Sequence, residues 1–140
     1  MRARESGLWN WLSQGTMHLT DLHMHRIENS LSAGTPDVEG CVAGVGFDIE
    51  LKSVSRPPGG NVWCELKSAQ ALFLRARWHV GGSSWVLVQV GYAHGAKRYL
   101  VRGCDSAELL QPVPETQLEE LNCLRGTFTA VDVIVKVSSR

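Results

Sequence analysis

The chain has 140 residues, with 14 basic and 14 acidic side chains, 44% hydrophobic residues and no net charge. That length suits one domain, residues 1–140, able to bury a core of its own, and the composition is that of an ordinary globular protein. Neutrality counts against tight nonspecific binding of a polyanion, although acids can gather at one point while basic residues line its rim.

Arg2, Arg4 and Glu5 are followed by no long apolar run. No signal peptide and no membrane span are expected, which points to the cytoplasm. Cys41, Cys64, Cys104 and Cys123 are scattered, without a Cys-x-x-Cys pair or a neighbouring histidine pair. That pattern points to reduced thiols and away from zinc.

Residues 4–14 read as a first helix ending near Gly15, with Leu8, Trp11 and Leu12 at helical spacing toward a sheet. Glu5 falls in its first turn, where the helix dipole favours an acid. Residues 17–33 hold His18, Asp21, His23 and His25. These are either metal ligands or surface groups, and His23 and His25 share a face only on a strand.

Residues 35–52 carry the strongest pattern in the chain. Two antiparallel strands reverse at Ala43 and Gly44, with glycine supplying the positive φ of a tight turn. This register sets Asp37 across from Glu50 and Glu39 across from Asp48, with opposed Cβ atoms roughly 4.5–5.5 Å apart. Val38, Val42, Phe47, Ile49 and Leu51 take one face, while Asp48, Glu50 and Lys52 take the other. Opposed like charges destabilise a ladder, unless a hard divalent cation such as Mg²⁺ sits between the oxygens. The alternative is the solvated face of an amphipathic hairpin.

Residues 53–60 are rich in proline and glycine and read as a strand end followed by a link, and Val62 to Cys64 as a short strand. Ser68 is placed as the cap of a helix with Ala69, Leu72, Phe73, Ala76 and Val80 as its apolar stripe, stopped by Gly81 and Gly82. Gln70, Arg75 and Arg77 lie off that stripe. The arginines are either solvated or beside a polyanion, and Gln70 can hydrogen-bond a water or a phosphate.

Trp85 to Val90 is a continuous apolar run, as in a strand covered on both faces. Residues 97–101 form the next strand, and a short helix over 105–111 is stopped by Pro112 and Pro114. Residues 115–124 are helical in composition, and residues 127–137 alternate as a half-buried strand. Such a strand, if at an edge, needs cover, for example from a second copy.

Pro36-Asp37, then Glu50-Leu51-Lys52, followed by a helix and an apolar strand, resembles the PD-(D/E)XK nuclease superfamily, and within it small Holliday-junction resolvases and VRR-NUC-type phage nucleases. The resemblance covers most of the chain. It implies an α/β restriction-endonuclease-like core: a central mixed β-sheet flanked by helices, in the order αβββαβ. It implies a Mg²⁺- or Mn²⁺-dependent endonuclease on branched or duplex DNA, working as a homodimer. Asp37 and Glu50 would hold the metal, with Glu5 or Glu28 as the extra acid. Lys52 would act as a cation toward the phosphate and Gln70 would complete the catalytic set. Arg26 and Arg56 become candidate phosphate contacts. The rival is a catalytically inactive nuclease fold kept as a DNA-binding or structural subunit. No phosphate loop, Gly-x-Ser-x-Gly elbow or dinucleotide fingerprint supports an unrelated enzyme.

Overall fold

The computed structural model describes residues 3–28 and 33–140. Helix α1 (Ala3–Gln14) precedes an antiparallel meander of β1 (Leu22–Arg26), β2 (Val38–Val42) and β3 (Val45–Val54). After β4 (Asn61–Val62), helix α2 (Ser68–His79) crosses over to β5 (Ser83–Val90), which lies parallel to β3. Strand β6 (Lys97–Arg102) returns antiparallel to β5 and leads into a 3₁₀-helical stretch, Gly103–Leu110. Strand β7 (Val113–Pro114) pairs with β4 as a small separate sheet, and α3 (Glu115–Leu121) and α4 (Ala130–Ser139) close the chain. The main sheet has the order β1-β2-β3-β5-β6. It is the mixed sheet with flanking helices that the αβββαβ pattern requires.

Each face of the sheet has its own core. Phe47, Ile49, Leu51, Trp85, Leu87 and Leu100 pack against Leu8 and Leu12 of α1 and Val133, Ile134 and Val137 of α4. On the other face Val86, Val88, Val90 and Val101 pack against Ala71 and Leu74 of α2, with Leu109, Leu118, Val62 and Val113 around them. Strand β5 is buried along its whole length, as its apolar run requires.

The hairpin forms in the expected register, with Val38 opposite Ile49 and Glu39 opposite Asp48. Ala43 (φ 49°) and Gly44 (φ 83°) make the turn, both in the left-handed region that a type I′ hairpin demands. The α2 terminus is also as expected. Gly81 (φ 97°) donates to the Trp78 carbonyl, and Gly82 donates to that of Arg77, which is the Schellman pairing.

Four local expectations are corrected. Residues 127–137 hold a helix, α4. Their β-branched residues suggested alternation, but Thr129 caps the start by accepting from the Asp132 N–H while the Asp132 carboxylate accepts from the Thr129 N–H. Ala130, Val133, Ile134 and Val137 form the buried stripe at helical spacing. The need for a partner to cover an edge strand there disappears with the strand. The α2 stripe is rotated: Ala71 and Leu74 are buried while Leu72 and Val80 are exposed, and Lys67 stands at the N-cap in place of Ser68. The short strand before α2 contains only Asn61 and Val62. Finally, the polar face of the hairpin is covered: Asp48, Glu50 and Lys52 are all buried.

All four cysteines are free. Among the described residues no helix is long and apolar enough to cross a membrane. The helical stripe of α4 separates Ile134 from its neighbour Val135. Ile134→Ala is expected to cost roughly 2–5 kcal/mol and Val135→Ala within about 0.5 kcal/mol, measured by urea unfolding; the reverse order would restore the strand reading.

Candidate active site

Asp37 stands one residue before β2, between the buried Pro36 and Val38. Its carbonyl accepts from the Ile27 N–H at 2.7 Å, which ties it to the end of β1. Its Oδ2 accepts from the Leu51 N–H at 2.9 Å. One step back from the Val38–Ile49 pair, the register faces it toward Glu50, and each carboxyl acts on the ionisation of the other.

Glu50 is the most constrained member, at 2% exposure. Its Oε2 accepts from Gln70 Nε2 at 2.8 Å and lies 3.4 Å from Lys52 Nζ. Lys52, also buried, donates to the Glu65 carbonyl at 3.4 Å. Glu65 itself adopts φ 58°, an uncommon conformation for a residue with a side chain. Gln70 is spoken for at both ends, because its Oε1 accepts from the Lys67 N–H at 2.9 Å. Gly34 packs so closely on the start of α2 that a Cβ there would lie 2.2 Å from the Ala69 carbonyl oxygen. The approach to Asp37 and the helix that carries Gln70 are thus in direct contact.

Glu50 Oε1 is buried and accepts no hydrogen bond from the described residues. Burial, reinforced by the neighbouring Asp37, pushes the Glu50 carboxyl up to about 8, against the pull of Lys52. Burial also raises Asp37, opposed by the Leu51 N–H and by Lys52. Facing carboxyls resist joint ionisation, which favours a proton shared by the pair. A divalent cation offers the alternative. The donors are all oxygens, one lacks a partner, and a hard ion such as Mg²⁺ takes one or two carboxylates and keeps several waters. The chemistry of these residues fits such an ion, which Asp37 and Glu50 would hold.

No protein-family model matches the chain, and no curated protein sequence matches it. Among solved structures it is similar to Hjc, a Holliday junction resolvase from the archaeal hyperthermophile Archaeoglobus fulgidus. The two are 16% identical, the match covers 95% of this chain and 97% of that one, and the TM-score is 0.58. The chain has the fold of that resolvase. The resemblance drawn from Pro36-Asp37 and Glu50-Leu51-Lys52 holds at the level of fold.

Of the residues singled out in the sequence, the structure brings together Asp37, Glu50, Lys52 and Gln70. Glu5 is buried in the first turn of α1, a helix that packs on the other face of the sheet. Its neighbour Ser6 accepts from Arg26 at 3.4 Å, which sets the start of α1 beside the end of β1 that leads toward Asp37. Glu28 is exposed and paired with Arg26. His23 and His25 do share a strand face, with ring centroids 6.0 Å apart, both exposed. Among the described residues no three His, Cys, Asp or Glu side chains gather as a ready-made metal cluster. Arg75 is exposed, and Arg56 is bound by the Glu115 carboxylate.

Arg77 has a larger part than the solvated reading gave it. Its guanidinium donates to Asp48 Oδ2 at 2.9 Å and lies 5.0 Å from the Phe73 ring. Burial raises the Asp48 carboxyl, and Arg77 pulls it back down. The signal was present in the spacing: Gln70 and Arg77 are two helical turns apart, and Glu50 and Asp48 are two strand residues apart.

A carboxyl raised in the folded state, as Glu50 is, stabilises the fold below its unfolded value near 4.5 and loses that contribution as pH climbs through about 8. In EDTA, the urea midpoint of the wild type minus that of Glu50→Gln is therefore expected to fall between pH 5 and pH 8. Mg²⁺ or Mn²⁺ should raise the wild-type midpoint more at pH 8 than at pH 5, where a proton competes. A difference that rises with pH would contradict the shared-proton description.

Proposed function

We propose that residues 1–140 form a single nuclease domain that hydrolyses DNA phosphodiesters with a divalent metal, acting by preference on branched DNA. The observation that carries this reading is the register that faces Asp37 toward Glu50, with one Glu50 oxygen left without a partner beside the Lys52 ammonium. The resolvase fold supports it. Asp37 and Glu50 would hold Mg²⁺ or Mn²⁺, and the metal when bound would polarise a phosphoryl oxygen and acidify a water. Lys52, held by Glu50 and the Glu65 carbonyl, stabilises negative charge that develops on the phosphate. Gln70 is a positioning residue: both its polar atoms are engaged, so it fixes the Glu50 carboxylate and leaves water and phosphate to others. A further acid, Glu5 or Glu28, would have to be drawn to the pair, because among the described residues no third carboxylate gathers with it. A four-way junction needs two symmetric cuts, which two copies about a two-fold axis supply.

A second reading, a nuclease fold kept as an inactive DNA-binding or structural subunit, draws on the near-complete burial of Glu50 and Lys52. Calorimetry separates the two, because a degenerate site leaves Mn²⁺ unbound.

With Mg²⁺, the protein is expected to cut a four-way junction in preference to linear duplex, and EDTA should stop it. Glu50→Gln and Lys52→Ala should each reduce cleavage at least 10²-fold, within the range for loss of a group that stabilises transition-state charge, while junction binding in a gel-shift assay persists. Full activity in either variant refutes the assignment.

A further inference from the structure

At the sheet edge opposite the hairpin, a cavity of about 580 Å³ opens between β6 and the 122–128 segment. Sites for small molecules run from roughly 300 to 1,000 Å³. Lys97, Arg98 and Arg125 line it, together with the ring of Phe128.

Arg98 is the informative member. Its Nε donates to Gln89 Oε1 at 2.9 Å, and its guanidinium lies 4.2 Å from the centre of the Trp11 ring. Gln89 is itself buried within β5. The guanidinium is therefore fixed in place by an amide and an aromatic face. Among the described residues no carboxylate pairs with it, whereas Arg26, Arg56 and Arg77 each have an acid. Burial alone acts on its charge, holding it below the ordinary arginine range. An arginine presents five donors in a planar fork that matches phosphate oxygens, and among the described residues only Nε is seen to donate.

The same Trp11 ring meets Phe128 edge-on, with centroids 6.3 Å apart. One tryptophan thus holds the Arg98 guanidinium against its face and an aromatic ring at its edge. Glu119 and Glu120 also line the cavity. Two carboxylates oppose a long polyanion, but they accept hydrogen bonds from the amino and hydroxyl groups of a compact ligand.

We propose that this cavity binds a 5′-phosphorylated deoxynucleotide, free or as the end of a DNA strand, with Arg98 and Arg125 on the phosphate and Phe128 against the base. The site lies away from Asp37 and Glu50 and stands independently of the metal-site reading.

Calorimetry on the full chain in EDTA tests it, with deoxyadenosine 5′-monophosphate, deoxyadenosine and inorganic phosphate as probes. The nucleotide should bind at least tenfold more tightly than the nucleoside or the phosphate. Arg98→Gln and, separately, the exposed Arg125→Ala should each weaken it about tenfold, with unchanged far-UV circular dichroism. A 5′-phosphorylated tetradeoxynucleotide binding more tightly than the mononucleotide assigns the strand end, and the opposite order assigns the free nucleotide. No nucleotide binding, equal binding by both variants, or phosphate binding as tightly as the nucleotide overturns the proposal. Cleavage that depends on Glu50 would be unaffected by such a failure, so the two readings are separately decided.

Discussion

The carboxyl group of Glu50 lies almost free of solvent on a strand that faces Asp37, and the surrounding structure answers the cost of that burial. Burying an ionised carboxylate costs several kcal/mol after relaxation unless partners compensate. The compensation comes from separate parts of the chain. Lys52 lies on the same strand face, Gln70 reaches down from α2, and the Leu51 N–H holds Asp37. Glu65 supplies a carbonyl that anchors Lys52. What these groups leave unmatched is one oxygen, Glu50 Oε1. A proton or a cation completes it, and pH decides which has the easier entry. The same features that make the ionised pair costly are those that a hard ion, in the function proposed above, would relieve.

Helix α2 is the element that turns a charged strand face into a site. A parallel β3–β5 pair needs a crossover, and α2 supplies it by lying over the acid side of β3. Gln70 and Arg77 then meet Glu50 and Asp48. Two helical turns rise about 10.8 Å and two strand residues about 6.8 Å, a mismatch that these long side chains absorb. The ion pair at Asp48 fastens the far end of α2, while the amide of Gln70 fastens the end near Glu50. Gly34 allows the chain entering Asp37 to touch the same helix. Asp37, Glu50 and Gln70 are therefore set by mutual contact among three segments.

The two faces of the sheet divide the chemistry. Acids, Lys52 and α2 occupy one face. The other is an apolar core under α1 and α4, and at the β6 edge Arg98 emerges beside Trp11 and Phe128. A neutral total charge conceals this separation. Four acids meet at the hairpin, and at the opposite edge stands a guanidinium that no carboxylate pairs with among the described residues. Net charge is thus a poor guide here to where phosphate groups can approach.

Local rules were enough for the hairpin. Strand alternation and a turn at Ala43 and Gly44 fix which residues oppose which, so the Asp37–Glu50 pairing was legible before any coordinates. The buried β5 strand and the Gly81–Gly82 stop were legible for the same reason: each depends on short-range backbone and burial preferences. The sequence misled where two local signals competed. In residues 127–137 the β-branched side chains outweighed the Thr129–Asp132 capping pair, and only packing of Val133, Ile134 and Val137 on the sheet decides for helix. In α2 the apolar residues fall on more than one side, so which of them are buried depends on where the sheet lies. Above all, alternation showed that Asp48, Glu50 and Lys52 share a face and left open whether water or protein covers it. Tertiary structure decided that by laying α2 across them, because the ionisation of a carboxyl depends on solvent and on neighbours far along the chain, which no spacing of residues records.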